Sequence, residues 1–376
     1  MILFFATALS LTPAAAFPTK SWSASTPAAE GLDAAVLDRL DAELASGKHG
    51  YVDGLLVIRN GRVAYEKTYR NDYGRLFQTA PDRVPGPYNY YDPAWYPYEH
   101  GSDLHTMQSV SKSVTSALVG IAIRRGEIPG VDAKALPYFS AYRVAADPRR
   151  ERMTLKDLLT MTSGIRWDET TVDYTDPANS CARMEASKDW IQFVLDQPMA
   201  AEPGSTFVYS SGVTELLAEV LRKATGKQAD AYAAEHLFGP LGISRFYWKK
   251  TPTGHPDMEG GLYLTARDLA KIGYLYMKDG VWDGRRILPE GWAAASTRRQ
   301  SDPTGEDATM KYGYQWWVLP GKTPSYAGIG YGGQLLVVVP SLELIAVFTG
   351  WNIYDKPELD PQLALGRVLE AVRDRR

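Results

Sequence analysis

Strand-like patterns occupy both ends of this chain and helix-like patterns its middle, so any sheet must be assembled from both termini. Near the amino terminus, the run from Gly54 to Glu66 carries β-rich stretches on either side of Asn60-Gly61. That dipeptide tolerates positive φ at both central positions of a two-residue hairpin. Toward the carboxyl terminus, strand patterns cover 312–319, 325–329, 334–339 and 342–349, the last two joined by Pro340-Ser341. Between the ends, helices are expected at 188–196, 213–224, 230–238 and 266–279, with Thr265 and Arg267-Asp268 marking the start of the last. Further helices are expected at 34–44, at 154–161 behind a Thr154/Asp157 capping box, and at 361–372. The fold class is therefore α/β of the α+β type: an antiparallel sheet flanked by helices, plus a mainly helical insertion. The expected division is a sheet domain over 17–135 and 305–376, with a helical domain over 136–304.

The chain has 376 residues, 45% apolar and 23% charged, as a soluble globular protein does. A chain of this length buries about three quarters of its unfolded surface and needs no staples. A formal charge of −3 and the lack of Lys/Arg runs argue against a nucleic-acid partner. Residues 1–11 form an apolar run ahead of Ala14-Ala15-Ala16, the pattern of a secretory signal cut after Ala16. Export to the periplasm or the medium is the expectation, although no Lys or Arg precedes the run. No later stretch approaches the ~20 apolar residues of a spanning helix, so no transmembrane segment is expected in the mature chain. The single cysteine, Cys181, reads as a buried, inert thiol.

Residues 72–105 alternate Pro85, Pro87, Pro93 and Pro97 with Tyr88, Tyr90, Tyr91, Trp95, Tyr96 and Tyr98. Proline at this density prevents regular helix or central strand. Two readings stand side by side: rings that cover the core, or a wall of a substrate cleft, since the segment leads directly to Ser109.

No G-x-S-x-G elbow, zinc-ligand spacing or phosphate-binding loop is present, and the five histidines are scattered. What remains is Ser109-Val110-Ser111-Lys112 at the head of the most apolar helix pattern in the chain. Residues three apart share one helix face, which puts an amine beside a hydroxyl. A helix-start serine also offers its own unpaired N–H to a developing oxyanion. A serine is a poor nucleophile until a base removes its proton, and a buried lysine can be that base or can tune a second one. The tetrapeptide alone is weak evidence, since roughly one such match arises by chance in a chain this long. The plain alternative makes Ser109 an N-cap and Lys112 a solvated residue. Two further segments favour the catalytic reading: the turn-rich Pro203-Gly204…Tyr209-Ser210-Ser211, and Gly330-Tyr331-Gly332-Gly333-Gln334 beside a Val-rich strand.

With Leu158–Gly164, Leu237–Ile243 and Gly260-Gly261…Leu269, these landmarks follow in one order from about Gly54 to Gly350. The chain resembles the serine β-lactamase/penicillin-binding superfamily, on the class C-like branch of family VIII esterases and 6-aminohexanoate-oligomer hydrolases. The resemblance implies a β-lactamase/transpeptidase-like fold with the active site in a cleft between the two domains. It makes Ser109 the acylated nucleophile and Lys112 and Tyr209 its acid–base partners. The backbone N–H groups of Ser109 and Gln334 form the oxyanion hole in this reading. Trp167, Ser211, Gly330, Tyr331, Gly332 and Gly333 border the substrate. No metal or cofactor is implied.

Two departures matter. Ser211 replaces the Asn of the family's Y-x-N motif, and Tyr331 replaces the Lys or His of its third motif. The second removes a cation that pairs with a substrate carboxylate. The expected function is hydrolysis of a small ester or amide through an acyl-enzyme. The alternatives are a β-lactamase or D,D-peptidase, or a non-catalytic cell-wall binding protein of the same fold. The oligomeric state is left open.

Overall fold

The computed structural model describes residues 17–78, 88–353 and 359–373. The expected signal at 1–16, and Pro85 and Pro87 of the aromatic segment, lie outside the described residues.

The main sheet has eight strands: β1 (Ser23–Ala24), β2 (Val52–Arg59), β3 (Arg62–Thr68), β4 (Lys311–Tyr312), β5 (Trp317–Leu319), β6 (Ser325–Gly330), β7 (Gln334–Val339) and β8 (Leu344–Gly350). Their order is β1-β3-β2-β8-β7-β6-β5-β4. Only the β1–β3 pair is parallel. The two ends of the chain meet where β2 pairs with β8, with Val57 opposite Ala346 and Ile58 opposite Ile345. The β2–β3 hairpin turns at Asn60 and Gly61, whose φ values of 52° and 73° meet the demand of a two-residue loop. Strands β7 and β8 are buried along their whole length, which explains their unbroken apolar character.

The helices that matter for the site are α1 (Ala34–Ala45), α2 (Ser111–Arg124), α3 (Leu155–Leu159), α4 (Trp190–Asp196), α5 (Ser211–Thr225), α6 (Ala266–Met277) and α7 (Pro361–Glu370). The expected Thr154/Asp157 capping box opens α3. Helix α2 is buried from Ser111 to Ala122 and packs on α5. A helix buried all round is a central strut, so Lys112 on its first turn cannot be a solvated lysine.

Three expectations are corrected. The strand at 312–319 is broken into β4 and β5, because Gln315 takes φ 61° and turns inward. There its amide nitrogen donates to the Leu158 and Leu159 carbonyls and its amide oxygen accepts from Thr214, tying the sheet to α3 and α5. The helix at 230–238 divides into Ala229–Ala233 and a π-helical turn, Ala234–Phe238. Helix α6, counted in the helical part, packs on β7 and β8. Gly273 permits this, since a Cβ there would lie 3.0 Å from Leu336 and Val338.

Candidate active site

Ser109 lies in a short 3-10 turn, Gln108–Val110, that runs into α2. Gln108 is held at φ 46°, a left-handed conformation that costs a non-glycine residue about 1–2 kcal/mol and persists only where the surroundings enforce it. The first hydrogen bond of the turn runs from Val110 N–H to the Met107 carbonyl. Ser109 N–H precedes that ladder, as the first donors of a helix do.

Lys112 Nζ lies 2.8 Å from Ser109 Oγ, 3.1 Å from Ser211 Oγ, 3.0 Å from the Glu259 carbonyl and 3.1 Å from Glu259 Oε2. Tyr209 lies beside Ser109 in the same cleft, and its ring centroid is 5.2 Å from Lys112 Nζ. The structure thus brings the hydroxyl, the amine and the phenol of the sequence analysis onto one another. Tyr209 is aimed by its neighbours: it stacks on Trp317 at 5.7 Å and meets Tyr312 edge-on at 6.3 Å. Ser210 caps α5 at the next residue.

Burial opposes the charge on Lys112, but the Tyr209 oxygen, Glu259 and Glu169 outweigh it and hold its pKa well above the usual lysine value. Burial also raises the Tyr209 phenol, which the Lys112 ammonium and the Ser109 hydroxyl draw back only in part. At rest both groups therefore keep their protons, and the pair must lose one to act as a base.

Around the serine opens a cleft of about 520 Å³, bordered by Ser109, Tyr209, Tyr174, Trp317, Ile329 and Tyr331. Strand β6 forms one rim. Gly328 and Gly330 let it lie against the Gln108–Val110 turn: a Cβ on Gly328 would lie 2.8 Å from Val110 Cγ1, and one on Gly330 2.5 Å from the Met107 carbonyl oxygen. The Gly330 carbonyl accepts from Gly333 in the turn to β7. Alternation along a strand then directs the backbone of Ile329 to the opposite edge. Pairing with β5 ends at Ala327, so that edge is open at Ile329.

Several expected site residues fall elsewhere. Gln334 is fully buried and paired with Gly330, and its amide bonds the Gly350 backbone. Its side chain faces the sheet rather than the cleft, whereas Ile329, on the open edge of β6, borders the cleft. The alternation Gly328-Ile329-Gly330 was the available signal, since two glycines on one face of a strand mean close backbone approach. Trp167 is buried, with its ring where a Cβ on Gly212 would fall (2.7 Å) and its Nε1 donating to Glu169 Oε2 at 2.5 Å. Ser211 is buried too, donating from Oγ to Glu169 Oε1 at 2.9 Å while accepting from Lys112. Both stand behind the site, not on its surface. Gly330 and Tyr331 do border the cleft, whereas Gly332 and Gly333 are turn residues at φ 85° and 101°.

The aromatic segment backs the cleft wall. Tyr90 is buried and meets Tyr331 at 5.7 Å and Tyr174 at 5.6 Å, and both of those rings line the cleft. Lys249 pins the segment: its Nζ lies 4.1 Å from the Trp95 ring centroid and 3.0 Å from Asp257. Glu259 carries no sequence signal of its own, because its partner Lys112 lies 147 residues away, whereas Glu169 closes the Trp167-Asp168-Glu169 stretch. Cys181 is buried with its thiol pushed well up by desolvation, 4.0 Å from Glu259 Oε1. Among the described residues, Cys181, Glu185 and Glu259 are the only such group with ligand atoms within 4.8 Å of one another. Lys112 and Lys249 already pair with those carboxylates at 3.1 and 3.8 Å, the chemistry of a charge cluster rather than of a metal centre.

The beta-lactamase family model matches residues 38–354. The 6-aminohexanoate-dimer hydrolase of Paenarthrobacter ureafaciens is 27% identical over 263 residues, 65% of this chain and 65% of that protein, a little under two thirds of its length. A family VIII carboxylesterase structure superposes with a TM-score of 0.66 at 16% identity, covering 93% of this chain and 98% of its own. The octameric penicillin-binding protein homologue of Pyrococcus abyssi gives 0.63 at 19% identity, covering 91% and 78%. At these identities the two structures establish likeness of fold.

Proposed function

The chain belongs to the beta-lactamase family, and from that premise we propose that it is a serine hydrolase of small esters or amides, acting through an acyl-enzyme on Ser109. The contact that carries this reading is Lys112 Nζ at 2.8 Å from Ser109 Oγ, with Tyr209 beside Ser109 in the same cleft. Once the Tyr209/Lys112 pair has lost a proton, it accepts that of Ser109 as Oγ attacks the carbonyl. The N–H groups of Ser109 and Ile329 hold the oxyanion, each worth about 3 kcal/mol in such sites. Tyr209 returns the proton to the leaving group, and water then deacylates the enzyme by the reverse route. Because the phenol starts high, kcat/KM climbs from neutral toward alkaline pH.

An ester or linear amide is favoured over a β-lactam because, among the described residues that line the cleft, none is a Lys, Arg or His to pair with a substrate carboxylate, while Asp307 and Asp360 are acidic. The relatives' names, a dimer hydrolase of a linear amide and a carboxylesterase, agree with that choice. An active-site serine phosphonate tests the reading. Wild type is expected to label with one equivalent, and Ser109→Ala not at all. Equal labelling of both would mean another nucleophile.

A further inference from the structure

The amine of Lys112 is closed in by acceptors. Four acceptors share its three protons: Ser109 Oγ, the Glu259 carbonyl and carboxylate, and Ser211 Oγ, whose own proton goes to Glu169. The Glu259 carboxylate is itself held in place. Glu215 Oε1 accepts from the Met258 and Glu259 N–H groups at 2.8 and 3.0 Å, and Asp257 Oδ1 from Gly260 N–H at 2.9 Å. Gly261 closes the turn, since a Cβ there would lie 2.6 Å from Asp257 Cβ. Lys112 and Glu259 are both buried, so water screens neither.

We propose that Glu259 is a positioning residue for the reaction: its carboxylate keeps Lys112 as a lasting ammonium beside Ser109, which leaves Tyr209 as the group that takes the serine proton. This rests on the serine-hydrolase reading above and assigns the proton within it. As the Oγ–carbonyl carbon bond forms, the Ser109 proton passes to the Tyr209 phenolate. As the carbon–leaving-group bond breaks, it passes on to the departing oxygen or nitrogen. Lys112 loses and gains nothing, and its charge stabilises the phenolate between the two events.

The electrostatic surroundings fix the sign of the test. Facing Lys112 are Tyr209, Glu259, Glu169 and Cys181. Facing Glu259, besides Lys112, are Cys181 and Glu185 of the helix Ser180–Glu185, Glu215 of α5, and Glu169. Asp257 belongs to its own turn, and Lys249 is engaged by Asp257 and Glu185 at 3.0 and 3.8 Å. The rings of Tyr90 and Tyr174 complete the surroundings. The negative charge of Glu259 raises both members of the catalytic pair. The first proton lost from that pair activates the enzyme and the second inactivates it, so the two limbs of the pH profile belong to the pair. Removing the charge lowers both.

The experiment is the pH profile of kcat/KM on a short p-nitrophenyl ester for wild type, Glu259→Gln and Glu259→Asp, with phosphonate labelling of each. In Glu259→Gln both limbs are expected to move to lower pH, the upper one by about 1–3 units, the span an adjacent opposite charge produces, and the lower one by less, since Glu259 touches Lys112 and not Tyr209. In Glu259→Asp, whose carboxylate retracts by one methylene, both move the same way by less. A merely structural role predicts a lower plateau with unmoved limbs, and that result overturns the proposal. Should Glu259→Gln fail to fold, Glu259→Asp carries the test alone, with unmoved limbs as the refuting result. Wild type that does not label at Ser109 overturns the parent reading and this one with it. Labelled wild type with immobile limbs in the variants overturns this one only.

Discussion

Tyr331 shows how one side chain sets what a cleft of this kind accepts. Its ring meets Tyr174 at 5.0 Å, Tyr90 at 5.7 Å and Trp351 at 6.4 Å, so an aromatic face borders the cleft there. Tyr331→Lys is expected to raise kcat/KM for a carboxylate-bearing p-nitrophenyl ester about tenfold relative to its neutral counterpart, the worth of roughly 1.4 kcal/mol. An unchanged ratio would mean that residue 331 does not face the acyl group. Sequence reading singled out Ser109 and Lys112 because they lie one helix turn apart, and Tyr209 because it matches the tyrosine of the Y-x-N motif that the resemblance implies. It missed Glu259, whose carboxylate meets Lys112 from 147 residues away. No local periodicity reports such a distance.

Among elements, β6 is the most exacting. Its glycines are not turn devices: at 328 and 330 a methyl group would strike Val110 and the Met107 carbonyl. Gly330→Ala is expected to push the strand from the nucleophile turn and cost about 10²–10³ in kcat, the loss seen when one oxyanion donor is removed. Phosphonate labelling should slow in parallel while circular dichroism reports a folded protein. An unchanged rate would show that β6 does not supply the second donor. The broken β4–β5 strand makes the same point about legibility. The pattern at 312–319 suits one strand, but Gln315 is paid for in strained φ by three buried hydrogen bonds to α3 and α5. Those bonds exist only once the helices have docked.

At the scale of the molecule, the notable feature is the acid cluster behind the cleft. Glu169, Glu185, Glu215, Asp257 and Glu259 are all buried, with Lys112 and Lys249 as the ammonium groups among them. Desolvation raises Glu185 and Glu215 well above the usual glutamate value, and mutual repulsion adds to it. A carboxyl raised in this way holds its proton to higher pH in the fold than when unfolded. Stability is then fully present below the unfolded value near 4.5 and falls as pH rises toward the folded one. Each group contributes at most about 1.4 kcal/mol per pH unit. Glu215→Gln keeps the oxygen that accepts from Met258 and Glu259 N–H. Its Tm should therefore exceed that of wild type at pH 8 and match it at pH 4. A constant difference across that range would show that Glu215 is ionised in the fold.

Sequence alone determined the elements and the family: hairpin chemistry at Asn60-Gly61, the capping box at Thr154, the apolar runs of β7 and β8, and an ordered set of motifs with Ser109 and Lys112 one turn apart. These are local, since dihedral preference, capping and periodicity act over a few residues. Tertiary structure decided which backbone edge faces the serine, which carboxylate meets the lysine, and that Gln334, Trp167 and Ser211 stand behind the cleft. Those outcomes depend on how strands and helices pack, and packing is settled by shape and burial across the whole chain rather than by any stretch of it.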